Sequence, residues 1–323
     1  MGINFVFGQG RVVRHVIIIL SLQFPAFAAA QSQPQIVFRG IMLDEVIGTA
    51  RLSQPLGMDI DPDGNIYLAD TGNNRILKFN RRGELRREAG GFGFDKQQFD
   101  RPVDIWAGNG LEVFVVDYNN QRLERYDKDL NYIASYYSDE VQPAPLQFGY
   151  PAAVGFSANG EIFLADHEFN RVLRIDSFGK PKSSFGDFNW GEGRLARPAK
   201  ILLAARQKIF VSDSTAEAIV EFDDYGNFVR RLGEGVLRDP AGMAMLGANR
   251  RGQKSEGLLL AADRGNHRIV CFGNDGEKIF DFGRRGRAPG EFSFPADVAV
   301  QGNRIFVLDT GNNRLQVFEL QSK

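Results

Sequence analysis

The 323-residue chain has a single cysteine, Cys271. It forms no internal disulfide, so stability must come from burial in a core, which a domain of this length can build. Cys271 falls on a strand-like run and is expected to be a structural thiol. Histidine is almost as scarce, with three copies at His15, His167 and His267. Neither sign of charge is in excess: 39 basic residues stand against 40 acidic ones, for a net charge of −1. That balance argues against general polyanion binding, and no nucleic-acid partner is expected. Beyond residue 30, no apolar run approaches the roughly 20 residues that a membrane-spanning helix needs.

Residues 1–30 lack Asp and Glu altogether. Arg11 and Arg14 precede an apolar stretch, Val16–Phe27, that ends in Ala28-Ala29-Ala30. A basic start, a short apolar core and small residues at its end read as a signal peptide cleaved after Ala30. Gln23 and Pro25 interrupt the core and weigh against a membrane anchor. No cysteine follows the cleavage point, so no lipid anchor is expected. Cleavage removes two positive charges and moves the net charge from −1 to about −3. The expectation is an exported protein, periplasmic or extracellular, in which residues 31–323 form one monomeric domain with no stable membrane anchor.

What the chain does have is a repeat. Asp-Thr-Gly-Asn-Asn-Arg occurs at Asp70–Arg75 and again at Asp309–Arg314. Weaker copies begin at Asp117, Asp166, Asp213 and Asp263, and the six aspartates are spaced by 47, 49, 47, 50 and 46 residues. Each copy opens on a proline: Pro55, Pro102, Pro151, Pro198, Pro240 and Pro295. Leu or Phe stands three residues earlier every time, at Leu52, Phe99, Phe148, Leu195, Leu237 and Phe292. Four short strand-like runs with Gly, Asn and Asp turns between them fill each unit, which is the pattern of a propeller blade. The sixth copy ends after its third strand. The missing strand is expected at the other end of the chain, over Ile41–Ile47, where it would complete the sixth blade and close the ring. Closure removes sheet edges that invite aggregation. The fold class is therefore all-β: a six-bladed β-propeller of four-stranded blades.

The Pro-x-Gly starts at Pro55-Leu56-Gly57 and Pro240-Ala241-Gly242, the run Ile66–Arg75 and the following Ile76-Leu77-Lys78-Phe79 resemble NHL repeats, in register over about residues 36–320. The resemblance implies a propeller that binds at the mouth of its central channel. It does not fix a function, since one fold hosts lyases, RNA-binding modules, sensors and scaffolds. NHL-like lyases use a histidine-ligated zinc. Loss of His15 with the signal leaves two histidines here, too few for a three-histidine site.

Alternation along the inner strands sends Asp59, Asp104, Lys200 and Asp297 toward the channel axis. Asp104, Lys200 and Asp297 share one level, on blades two, four and six, and Asp59 lies deeper. Two carboxylates, Asp104 and Asp297, could hold calcium or support acid–base chemistry. Alternatively Lys200 pairs with both in a hydrated channel. Tyr118, Phe169 and Trp190 are aromatic rings on mouth loops outside the recurrent apolar site, and are candidates for a partner surface. The repeat Asp and Arg read as loop caps rather than catalysts. Charge summed over the mouth loops gives a slightly acidic face. The insertion Gly247–Gly257 reads as a surface loop. The expected function is a non-catalytic binding or scaffold module for a protein or small ligand, without a cofactor. The alternative is a calcium-type enzyme with an axial site, a lyase or an ester or lactone hydrolase.

Overall fold

The computed structural model describes residues 35–44, 46–138, 146–247 and 257–321. Residues 1–30, read above as a signal peptide, and most of the Gly247–Gly257 insertion lie outside the described residues. No helix among the described residues is long and apolar enough to cross a membrane.

Six antiparallel four-stranded sheets follow one another along the chain. The first blade consists of Gly57–Ile60, Ile66–Asp70, Arg75–Phe79 and Leu85–Gly90. The inner strands of blades two to six are Pro102–Trp106, Pro151–Phe156, Pro198–Ala204, Pro240–Leu246 and Asp297–Gln301. The ring closes as expected: the N-terminal strand pairs with the third strand of blade six, Arg314–Gln321. Its position differs from the Ile41–Ile47 expectation. The closing strand is Gln35–Leu43, with Gln35 opposite Gln321 and Leu43 opposite Leu315. Val46–Ile47 instead folds back on Ala50–Arg51 in a small hairpin. The partner strand is eight residues long, so pairing starts earlier. Gly48, at φ +60°, makes the hairpin turn where most side chains would be strained.

The core lies between blades. Among the described residues, apolar clusters occupy each blade interface, such as Leu43, Leu68, Leu77, Phe306 and Leu308 between blades six and one. The recurrent Leu or Phe before each proline is at most 6% exposed in all six copies. Each such side chain contributes about 1.5–3 kcal/mol by leaving water. Cys271 is fully buried within this core, and burial pushes its thiol up to about 12, so it is an unreactive packing residue.

The repeat motif holds the linkers, as a capping role requires. Asp70 Oδ1 accepts the Ser53 N–H, and its Oδ2 accepts from Asn73 and from Arg75 Nε at 2.7 Å. Arg75 then donates to the carbonyls of Ile47 and Ala50 in the segment entering its blade. Asp309 and Arg314 repeat the arrangement on Arg287, Ala288 and Glu291. The threonine of the motif reaches the next blade: Thr71 donates to Pro102 O and Thr310 to Pro55 O, both at 2.7 Å.

Candidate functional site at the channel

The inner strand of every blade is a sheet edge facing the axis, and its N–H groups need acceptors. Acidic side chains supply three of these. Asp104 Oδ2 accepts the Val154 N–H of blade three, and Asp297 Oδ2 accepts the Met58 N–H of blade one. Asp59 Oδ2 accepts the Ala107 N–H of blade two, one level deeper. Small residues let the strands approach: a Cβ on Gly57 would lie 2.6 Å from the Asp104 Cα, and one on Gly242 would lie 2.5 Å from the Asp297 Cα.

The structure brings Asp104, Lys200 and Asp297 together. Lys200 Nζ donates to Asp104 Oδ1 at 2.5 Å and to Asp297 Oδ2 at 2.8 Å. The two aspartates are 2% and 1% exposed, and the pairing expected from sequence is present. Burial pushes the Asp297 carboxyl up to about 6 against the pull of Lys200, and the Asp104 charge adds to the rise. Burial alone would depress the Lys200 ammonium. The two carboxylates outweigh it and hold its pKa above the ordinary lysine value. Burial also raises Asp59, against hydrogen bonds from Ala107 and Ile60.

This donor set does not suit calcium, which takes six to eight oxygens. The ammonium already stands between the carboxylates, and their remaining lone pairs serve backbone N–H groups, Val298 among them. Among the described residues no three His, Cys, Asp or Glu side chains are grouped to hold a metal.

The bridge stands at the waist of the channel, since Lys200 lines the cavities at both ends. On the side of the motif loops lies a pocket of about 140 Å³. Its rim carries Arg101, Tyr118, His167, Arg197, Ser214 and the Asp239–Arg264 pair. Arg101, Arg197 and Asp239 each precede a repeat proline; Tyr118, His167, Ser214 and Arg264 each follow a repeat Asp. Those two columns of the repeat line the mouth, and their variation between copies is the signal that sequence reasoning passed over.

The slightly acidic face expected from loop composition is not what the pocket presents. The repeat aspartates are fully buried as caps and do not face the mouth, whereas the arginines do. Arg264 is matched by Asp239 through two hydrogen bonds of 2.7 and 2.9 Å. Among the described residues, Arg101 and Arg197 have no carboxylate within ion-pair distance, whereas Arg264 has Asp239. The Arg101 guanidinium stands 5.5 Å from the centre of the Tyr118 ring. Tyr118 also meets His167 Nδ1 at 3.3 Å and packs on Tyr150. Burial, then the charges of Arg197 and Arg101, bring the His167 imidazole down to about 4, so it is neutral at physiological pH.

Tyr118 is thus at the mouth; the other two aromatic candidates are not brought there. Phe169 is 42% exposed outside the pocket, with Arg171 stacked 4.5 Å from its ring centre. Trp190 packs between blades three and four, and its indole N–H donates to Gly226 O at 2.8 Å. His267 serves the frame: its Nδ1 accepts the Phe294 N–H, as Asn74 and Asn313 accept the N–H groups of Arg101 and Gln54. The opposite end of the channel opens into an apolar funnel of about 970 Å³ that includes Met58, Ile105, Trp106, Phe156, Leu203 and Met245. Trp106 and Phe156 stack at 4.1 Å there.

Residues 52–79 and 292–318 match the NHL repeat family model. The chain is an NHL-repeat propeller. It is 25% identical over 139 residues, 42% of its length, to Protein brain tumor of Drosophila melanogaster. It is 26% identical over 137 residues, 41% of its length, to a probable peptidyl-alpha-hydroxyglycine alpha-amidating lyase of Caenorhabditis elegans. The matches span 13% and 39% of those two proteins. Among solved structures, an auxiliary nutrient binding protein from Bacteroides ovatus superposes with a TM-score of 0.66 at 12% identity, over 90% of this NHL propeller and 78% of the other chain. A virginiamycin B lyase from Staphylococcus aureus superposes at 0.59 with 16% identity, over 89% and 88%. At these identities the structural likeness shows the fold alone.

Proposed function

We propose that this NHL propeller is an exported, non-catalytic module that binds a small ligand or protein at the channel mouth. One observation carries the reading. The charged residues best suited to acid–base work, Asp104, Lys200 and Asp297, are locked to one another and to the backbone, while the rim above them offers unspent donors. The signal-like residues 1–30 support export. Affinity capture from the exported fraction, with protein immobilised away from the motif-loop face, tests it. A partner or ligand lost on substituting Tyr118→Ala is the expected result. Persistent failure to enrich anything would sink the reading.

The donor set speaks against the alternative, a calcium-type enzyme, and metal content tests it. A stoichiometric ion in the dialysed protein, absent from Asp104→Ala/Asp297→Ala, would replace the binding reading with an axial metal site.

A further inference from the structure

Resting on the binding reading, we infer that the mouth pocket is built for a single carboxylate, held between Arg101 and Arg197. The placement of the charges leads there. Arg264 is neutralised by Asp239. At the floor Lys200 meets two aspartates, leaving one negative charge in excess. Arg101 and Arg197 add two positive charges with no acidic ion-pair partner among the described residues. Asp213, buried behind Ser214, accepts only backbone N–H groups among the described residues, so the positive charge is concentrated at the rim, where an anion would sit.

The geometry points the same way. Planar guanidinium forks match carboxylate oxygens, and charge-assisted hydrogen bonds of this kind are among the stronger ones. A volume of about 140 Å³ takes a carboxylate and the few atoms that bear it, not a folded segment. The neighbouring groups reinforce the selection. His167 is uncharged and contacts the Tyr118 hydroxyl, and the Ser214 hydroxyl lies beside Arg197 O. The wall between the two arginines thus offers hydroxyl and imidazole groups rather than carboxylates. The Tyr118 ring, stacked under Arg101, gives an apolar face to whatever carries the acid. The carboxylate has two possible sources, a small organic acid or the free C-terminus of a peptide, and the same chemistry serves both.

Benzoate and benzamide form a matched pair for the test, joined by inorganic phosphate and by a tripeptide with a free or an amidated C-terminus. Binding is read by calorimetry and by the pH titration of the His167 ring resonances, with His267 as internal reference. The expected result is that benzoate binds and benzamide does not. Arg101→Ala and Arg197→Ala each weaken benzoate at least tenfold, and Arg264→Ala less. Bound carboxylate cancels arginine charge beside His167, so the His167 titration moves to higher pH while that of His267 stays in place. A preference for the free over the amidated tripeptide assigns the source to chain termini; benzoate binding without that preference assigns it to small acids. Equal binding of benzoate and benzamide, tighter binding of phosphate than benzoate, or indifference to both arginine substitutions overturns the inference. A captured partner that Arg101→Ala/Arg197→Ala retains would sink the carboxylate site while leaving the binding module standing.

Discussion

Lys200 is the residue on which the axis depends. It is the cation that Asp104 and Asp297 share, and both are buried. Replacing it with Met strands two carboxylates, and the cost of breaking a buried pair in this way is about 3–5 kcal/mol. Chemical denaturation of Lys200→Met should show that loss, and Asp104→Asn added to it should recover part. A change under about 1 kcal/mol would mean that the axis is open to water after all. His167 sets a pH dependence. Its folded pKa of about 4 is below the unfolded value of about 6.5, so the folded state refuses a proton that the unfolded chain accepts. The stabilisation is present above about pH 6.5 and lost as pH falls toward 4. Asp166 and Asp297, both pushed up to about 6, act in the opposite sense, so the comparison must be with His167→Gln. The stability gap between wild type and that variant should narrow from pH 6.5 to 4, and a constant gap would refute the assignment. The axial bridge was legible in the sequence because strand alternation fixes which side chains meet at the centre. The mouth arginines were not, because Arg101 and Arg197 sit before prolines in linkers, where no periodicity says which way a side chain faces.

Blade four shows how an element survives the loss of its clamp. Its motif ends in Ala218 where the other copies have Arg. The linker into the blade is held instead by Arg231 of the outer strand Phe228–Leu232, which donates to Glu192 O and Arg194 O at 2.7–3.1 Å. Asp213 still accepts the N–H groups of Ala196 and Arg197. Arg231→Ala should therefore cost about 2 kcal/mol, as charge-assisted bonds to carbonyls do. Arg86→Ala, which removes an exposed pair with Glu84, should change stability by less than about 0.5 kcal/mol. Equal effects on thermal unfolding would show that Arg231 holds nothing. The sequence revealed that blade four was irregular but not the substitute, since Arg231 is thirteen residues from the motif position that it replaces and only the fold sets them side by side. Arg231 also orders the segment carrying Arg197, so the substitution reaches the mouth.

The whole ring was legible because six copies in register leave little choice of architecture. The limits of the closing strand were less so: a short apolar run can slide along its partner until the full pairing is known. Gln35–Leu43 covers the edge of Arg314–Gln321 and brings Ile36 and Phe38 against the core around Phe292 and Phe318. Removing residues up to Leu43 should expose that edge and yield aggregates in size-exclusion chromatography, with a melting temperature well below that of the intact chain. A soluble monomer with unchanged melting would refute the role of closure. The same pairing imposes an order in time. Gln35 emerges from the ribosome well before its partner Gln321. At about 5–20 residues per second, the first strand waits roughly 15 to 60 s for the strand that completes it. Five blades can collapse in sequence meanwhile, but the sixth must stay open until Gln321 has emerged. The ring therefore cannot lock before its last strand has been made, and its opening in the folded protein starts where its closure finished.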